Sequence, residues 1–112
     1  MADRDDAVYI AEALDPITLA RSFVAGMTED DFLDDLKTQS AVIRQLEIIG
    51  EACAHVSRRT RAANPEIPWG DAVATRNLLI HQYFGVDPDT VWMTARDDLP
   101  VLADRLAQVK LG

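Results

Sequence analysis

Four side chains able to do chemistry stand within eight residues, Arg76-Asn77-Leu78-Leu79-Ile80-His81-Gln82-Tyr83. An imidazole titrates near neutrality and can take or give a proton. A guanidinium offers a fixed fork of donors that suits a phosphate. A helix advances about 100° per residue, so Asn77 and His81, four apart, lie on neighbouring directions, and Arg76 and Tyr83, seven apart, nearly eclipse. Val73, Ile80 and Phe84 fall between those two lines, so the polar groups flank an apolar strip. Leu78 and Leu79 point elsewhere, which suits a core helix that also touches a second subunit. Arg76 and His81 diverge by about 140° around an ideal helix, so a site that uses both needs the arginine to curl back or needs two subunits. On residue types alone, the plainer account is a hydrogen-bonded helix histidine and a surface or ion-paired arginine.

The same residues carry a resemblance. Arg76 and His81 with four residues between them, Asn77 directly after the arginine and Tyr83 two beyond the histidine resemble the signature of the HEPN superfamily in its HepT-like branch. The surrounding text is similar too: Asp35 to Ala52, Pro65-Glu66-Ile67-Pro68-Trp69, Phe84-Gly85-Val86-Asp87 and Val91-Trp92. The similarity runs from about residue 4 to the C-terminus. It implies one HepT-like HEPN domain over residues 1–112, an all-α bundle of four to five helices, and a metal-independent RNA endonuclease that acts as a homodimer with one shared cleft.

On that resemblance, His81 helps remove the proton of a ribose 2′-hydroxyl and Arg76 holds the phosphate, the pair forming the catalytic set. Attack by the 2′-oxygen leaves a 2′,3′-cyclic phosphate and a 5′-hydroxyl, and it excludes DNA as substrate. Asn77 is expected to orient Arg76 or His81 or to cap a contact across the dimer, and Tyr83 to touch substrate phosphate, with a tyrosine buried only for packing as the competing view. Similar proteins are often encoded beside a minimal MNT-type nucleotidyltransferase antitoxin that adds AMP units to the tyrosine at this position, which makes Tyr83 the expected modification site. Two non-enzymatic readings stay open: a non-cleaving helical module that binds RNA or nucleotide, and a chain that is chiefly a substrate or regulatory partner of a nucleotidyltransferase.

Composition fits a small helical protein. The 112 residues are 48% apolar with five glycines, enough for a modest core that oligomerisation would reinforce. The formal charge is −8. Residues 1–37 hold 10 acidic and 3 basic side chains, a balance of −7; residues 38–84 hold 4 and 5, or +1; residues 85–112 hold 5 and 3, or −2. Such acidity argues against tight nonspecific nucleic-acid binding and leaves room for a local pocket in the central portion. The single cysteine, Cys53, forms no internal disulfide and sits among Ile49, Ala52 and Val56 as a small buried apolar residue. Two histidines, Cys53 and scattered carboxylates make no metal-ligand spacing, so no metal or cofactor is expected. No basic segment followed by an apolar run opens the chain, and no stretch approaches roughly 18 uninterrupted apolar residues, so a cytoplasmic location is expected.

The elements that must position Arg76 and His81 follow from periodicity. Ala7, Ile10, Leu14, Ile17, Ala20 and Val24 predict a helix over about residues 5–25, kinked at Pro16 or broken there with Asp15 capping a new helix, and ended by Gly26. Thr28 and Asp31 form a capping-box pattern for a short helix carrying Phe32, Leu33 and Leu36. Its acidic first turn, Glu29 to Asp31, reads first as solvated surface and otherwise as a partner's docking surface.

A long helix is predicted over about Thr38 to Arg61, with a stripe of Val42, Leu46, Ile49, Cys53 and Val56 and a close approach allowed at Gly50. Glu47 and Glu51 are solvated surface or an orienting or acidic border of the dimer cleft. His55, Arg58, Arg59 and Arg61 either favour the helix end electrostatically or form a phosphate-facing patch, with Arg58 and Arg59 as possible phosphate ligands and His55 and Arg59 on one face. Neither account makes His55 catalytic. Pro68 or Trp69 starts the signature helix, which ends around Phe84 and Gly85. Asp87-Pro88 starts the last element, whose Trp92, Ala95, Leu99, Leu102, Leu106 and Val109 continue to Lys110 across a bend near Pro100. Trp69 and Trp92 read as core or interface residues rather than base-stacking platforms.

Overall fold

A computed structural model describes residues 2–81 and 86–111, with side chains described from residue 5 onward and omitted for His81. Every described element is helical: α1 (Ala2–Val24), α2 (Glu29–Leu33), α3 (Leu36–His55), α4 (Arg58–Ala63), α5 (Trp69–His81), α6 (Pro88–Met93), a π-helical turn (Thr94–Asp98) and α7 (Leu99–Ala107). The all-α expectation holds, whereas a count of four to five does not. Short α4 stands apart from α3, and the final helix is divided by the π turn.

Helix α3 lies at the centre, packed along α1 on one side and α5 on the other, and α7 closes over α1. The buried face of α1 is Ile10, Ala13, Ile17, Ala20 and Val24, steps of three and four that keep one stripe inward. Two members of the expected stripe change places: Ala7 is exposed and Leu14 half-buried, while Ala13 takes the inner position. Pro16 does not break the helix, which runs through it without a new start at Asp15. The lost bond is to the carbonyl of Glu12, an exposed residue that water can serve, and the ring of Pro16 is buried. Gly26, at φ 77°, supplies the left-handed residue just beyond α1.

The capping box of α2 is complete, with the Asp31 N–H donating to Thr28 Oγ1 and the Thr28 N–H donating to Asp31 Oδ2, both at 3.1 Å. Phe32 is fully buried, but Leu36 is 75% exposed and belongs to the next helix. That helix starts earlier than Thr38 because Asp35 caps it, accepting from the Thr38 N–H at 3.0 Å and its hydroxyl at 2.6 Å. The stripe Val42, Leu46, Ile49, Cys53 and Val56 is buried throughout.

The long helix also stops early, at His55, where the expected one ran to Arg61. Val56 turns extended (φ −66°, ψ 136°) and Ser57 caps α4 through the Thr60 N–H. What fixes this break is Asp6, on α1. Its carboxylate accepts from the Ser57 N–H at 2.8 Å, the Ser57 hydroxyl at 2.6 Å and the Thr60 hydroxyl at 2.5 Å, and it is 2% exposed. Burial works to raise the Asp6 pKa, but the two hydroxyls, the backbone donor and the charge of Arg61 together hold it below the usual aspartate value.

Asn64 plays the matching part at the other end of α4. Its amide donates to the carbonyls of Thr60 and Lys110 and accepts from the Lys110 N–H, and its own carbonyl accepts from the Trp69 indole at 3.0 Å. Trp69 and Trp92 are buried core residues, 7% and 4% exposed. Asp87 caps α6 with Pro88 at its first turn, as expected. The bend before Pro100 takes the form of the π turn, a one-residue widening that absorbs the proline's missing donor. α7 ends at Ala107 rather than Lys110, and Val109 is half-buried. Among the described residues, no helix is long and apolar enough to cross a membrane.

Candidate functional site

The site is built where α5 crosses α3. Gly50 makes the close approach possible: a Cβ there would run into the Cβ of Arg76 and lie 2.7 Å from the backbone oxygen of Ala72. The expected glycine contact is therefore real, and the residue it brings against α3 is Arg76. The Arg76 side chain is 20% exposed and all three of its nitrogens are bonded. Nη1 donates to Glu51 Oε2 at 2.7 Å, while Nε and Nη2 donate to Asn77 Oδ1 at 3.1 and 2.6 Å. The Asn77 side-chain oxygen thus accepts twice from the arginine beside it. Glu51 is 55% exposed, so the pair sits at the mouth of the seam.

His81 is the last residue of α5 as described, five positions beyond Arg76 on the same helix; its side chain, and with it any contact to Arg76, lies outside the described residues. Tyr83 also lies outside them, as does the expected helix end at Phe84 and Gly85. Two bulky apolar residues beside this segment face outward, Leu78 at 48% and Ile80 at 42% exposure.

The basic group at the end of α3 divides. Arg61 donates from Nε to the carbonyl of Val56 at 3.0 Å, the helix-end role in its simplest form. Arg58 and Arg59 are exposed on α4. His55 and Arg59 do not share a helix face, because the break at Val56 and Ser57 puts them on separate helices. His55 turns back instead: its Nδ1 is 2.8 Å from the carbonyl oxygen of Glu51 and 3.7 Å from its carboxylate, and its ring stacks on Tyr9 at 5.1 Å. Nothing local in the sequence marks Tyr9, one helix turn from Ala13 on α1, for this contact. Among the described residues, no group of three or more His, Cys, Asp or Glu is placed to hold a metal ion. Burial pushes the Cys53 thiol up to about 11 against the opposing pull of Arg61, which keeps it protonated and unreactive.

An all-helical bundle that presents a braced arginine on one helix, five residues before a histidine, is a scaffold whose chemistry comes from side chains. The model of the family described as Ribonuclease HepT-like matches residues 13–109. The chain belongs to this HepT-like ribonuclease family of the HEPN superfamily. It is similar to a protein of Thermococcus cleftensis named "Probable ribonuclease HepT", 40% identical over 102 residues that cover 91% of this chain and 93% of that one. A "Putative RNase" of Methanocaldococcus jannaschii is 34% identical over 100 residues, 89% of this chain and 92% of that one. Another protein of that organism, named as a gamma-glutamylcyclotransferase and putative RNase, is 35% identical over 95% of this chain, which spans 48% of it. No solved structure matches the chain.

Proposed function

We propose that this chain is a metal-independent RNA endonuclease and the toxin half of a toxin–antitoxin pair, with Arg76 and His81 acting in a cleft between two copies. The observation that carries the proposal is the bracing of Arg76 by Glu51 and Asn77 on α5, in a chain of a ribonuclease family. A held guanidinium has lost its side-chain freedom in advance, so donors aimed at a phosphate stabilise growing charge without reorganising. Asn77 offers a neutral acceptor that an anionic phosphate oxygen displaces.

In the reaction, the His81 imidazole takes the 2′-hydroxyl proton, the 2′-oxygen forms a bond to the adjacent phosphorus, and the bond to the 5′-oxygen breaks. The leaving oxygen takes up a proton, giving a 2′,3′-cyclic phosphate and a 5′-hydroxyl. Arg58 and Arg59, exposed on α4, hold flanking phosphates. Arg76→Ala and His81→Ala should fold with the circular dichroism of the parent and lose cleavage by about 100-fold or more. Undiminished cleavage by His81→Ala removes that residue from the mechanism.

The seven-residue spacing of Arg76 and Tyr83 in the sequence supports a means of control as well. A nucleotidyltransferase antitoxin that transfers AMP to Tyr83 would set phosphate charge near Arg76, compete for its donors and repel RNA. Intact-mass and peptide mapping after treatment with such a partner and ATP should find the adduct on Tyr83 and none in Tyr83→Phe. An adduct only on Tyr9 defeats this control. The second reading, a non-cleaving module or a substrate of the nucleotidyltransferase, draws on the same bracing, since every nitrogen of Arg76 is already bonded to protein.

A further inference from the structure

A groove of about 350 Å³ opens beside Arg76, lined by Tyr9, Glu12, Glu47, Glu51, His55 and Ile80 among others. Its size is at the small end for ligand pockets, room for one base or nucleoside and not for a duplex. Within it, Tyr9 of α1 and His55 of α3 stack with ring planes 29° apart and centroids 5.1 Å apart. His55 is fixed from behind. Because a carbonyl oxygen only accepts, the 2.8 Å contact to Glu51 makes Nδ1 the protonated nitrogen and leaves Nε2 facing away. Among the described residues Nε2 has no partner, and the His55 side chain is 49% exposed. An aromatic ring held at one edge, stacked on a second ring and half exposed at a groove is the arrangement on which single-stranded bases stack.

The groove's charges select which part of a nucleotide enters. Glu12, Glu47 and Glu51 line it; Arg44 pairs with Glu47 at 3.6 Å and Arg76 with Glu51 at 2.7 Å, which leaves the lining acidic by the one carboxylate of Glu12 and rich in oxygens that accept from N–H groups rather than from phosphate. It also adjoins the phosphate position, since Glu51 bonds Arg76 and Ile80 lies one turn beyond Arg76 on α5. Guanine presents two neighbouring donors, N1–H and N2–H, that one carboxylate can take together. Uracil offers one donor between two carbonyls, which carboxylates oppose.

We infer that the Tyr9–His55 pair is a nucleobase subsite, which stacks an unpaired base with donors on its Watson–Crick edge, guanine before uracil, beside the phosphate held by Arg76. This rests on the proposed function only in taking Arg76 as the phosphate contact.

The test uses 2′-O-methyl heptamers, which cannot undergo 2′-oxygen attack, of uridine throughout or with one central guanosine. Binding is read by fluorescence anisotropy on the full chain. The guanosine heptamer should bind about tenfold tighter than the uridine one, a difference of the size one stacked base supplies. His55→Leu should erase that preference, His55→Phe should keep the stacking share of it, and Glu47→Gln should reduce it. Arg76→Ala should weaken both heptamers equally and leave the preference. Equal affinity of the parent for the two heptamers, no binding of either, or an unchanged preference in His55→Leu overturns the subsite. If Arg76→Ala binds both as tightly as the parent while His55→Leu loses the preference, the subsite stands and the phosphate role of Arg76 falls.

Discussion

Glu51 holds Arg76 from α3, its carboxylate accepting from Nη1 at 2.7 Å. Under the proposed function that carboxylate competes with substrate phosphate for the same donor. Glu51→Gln should therefore lower KM for RNA, by removing a like charge, and lower kcat by about tenfold, by loosening the donors; steady-state kinetics on one RNA separates the two. A fall in KM with kcat unchanged would mean that the bracing is irrelevant to the chemical step. Cys53 gives a second check at this scale. With its thiol pushed up to about 11, alkylation at pH 8 should be slow in the folded protein and fast once it is unfolded. The sequence showed Arg76, Asn77 and buried Cys53 because motif and stripe are local patterns. Glu51 was legible only as a border of the cleft and not as the partner of Arg76, and Tyr9 not at all, because each meets its neighbour across helices, where linear spacing carries no information.

Among the elements, the boundary between α3 and α4 depends on a carboxylate that sits 51 residues earlier. Asp6→Asn should destabilise the fold by about 2–3 kcal/mol, because an NH2 replaces one of the two accepting oxygens, taking the acceptor from the two hydroxyls or from the Ser57 N–H and placing an amide's own donors in a buried site. Asp6 is held below the ordinary aspartate value of 3.8, so its contribution is fully present above that pH and is lost as pH falls through the lower folded value. Acid unfolding of Asp6→Asn should accordingly show a shallower pH dependence than the parent in that window, measured by urea midpoints between pH 2 and 5. An identical slope would mean that Asp6 is not a linked group. Gly50→Ala should force α5 off α3, costing about 1–3 kcal/mol and displacing Arg76, so that stability and cleavage fall together. The capping box of α2, the Asp87-Pro88 start of α6 and the core stripe of α3 were legible because caps and periodicity act within a few residues. The continuity of α1 through Pro16 was not, because burial of the ring and solvent at Glu12 decide it.

At the scale of the molecule, α5 carries Arg76 inward and Leu78 and Ile80 outward, 48% and 42% exposed, which is the arrangement expected of a helix shared between two copies. Sedimentation at micromolar concentration should give a homodimer, and Leu78→Glu should shift it to monomer and reduce cleavage with it; a monomer that cuts at the full rate contradicts a shared cleft. The all-helical class was readable from amphipathic spacing, and the family from the residues around Arg76, while packing of α1 and α5 on α3 needed the three-dimensional arrangement. The proposed reaction is cleavage by 2′-oxygen attack without a metal ion, with His81 moving the proton. Its most direct test is the chemistry of the RNA ends, analysed by mass spectrometry after incubation with partner-free protein in excess EDTA. The account predicts 2′,3′-cyclic phosphate and 5′-hydroxyl ends, absent with His81→Ala and absent when the attacking nucleotide is 2′-deoxy. Fragments bearing 5′-phosphates, or cutting that persists at a 2′-deoxy position, would contradict it.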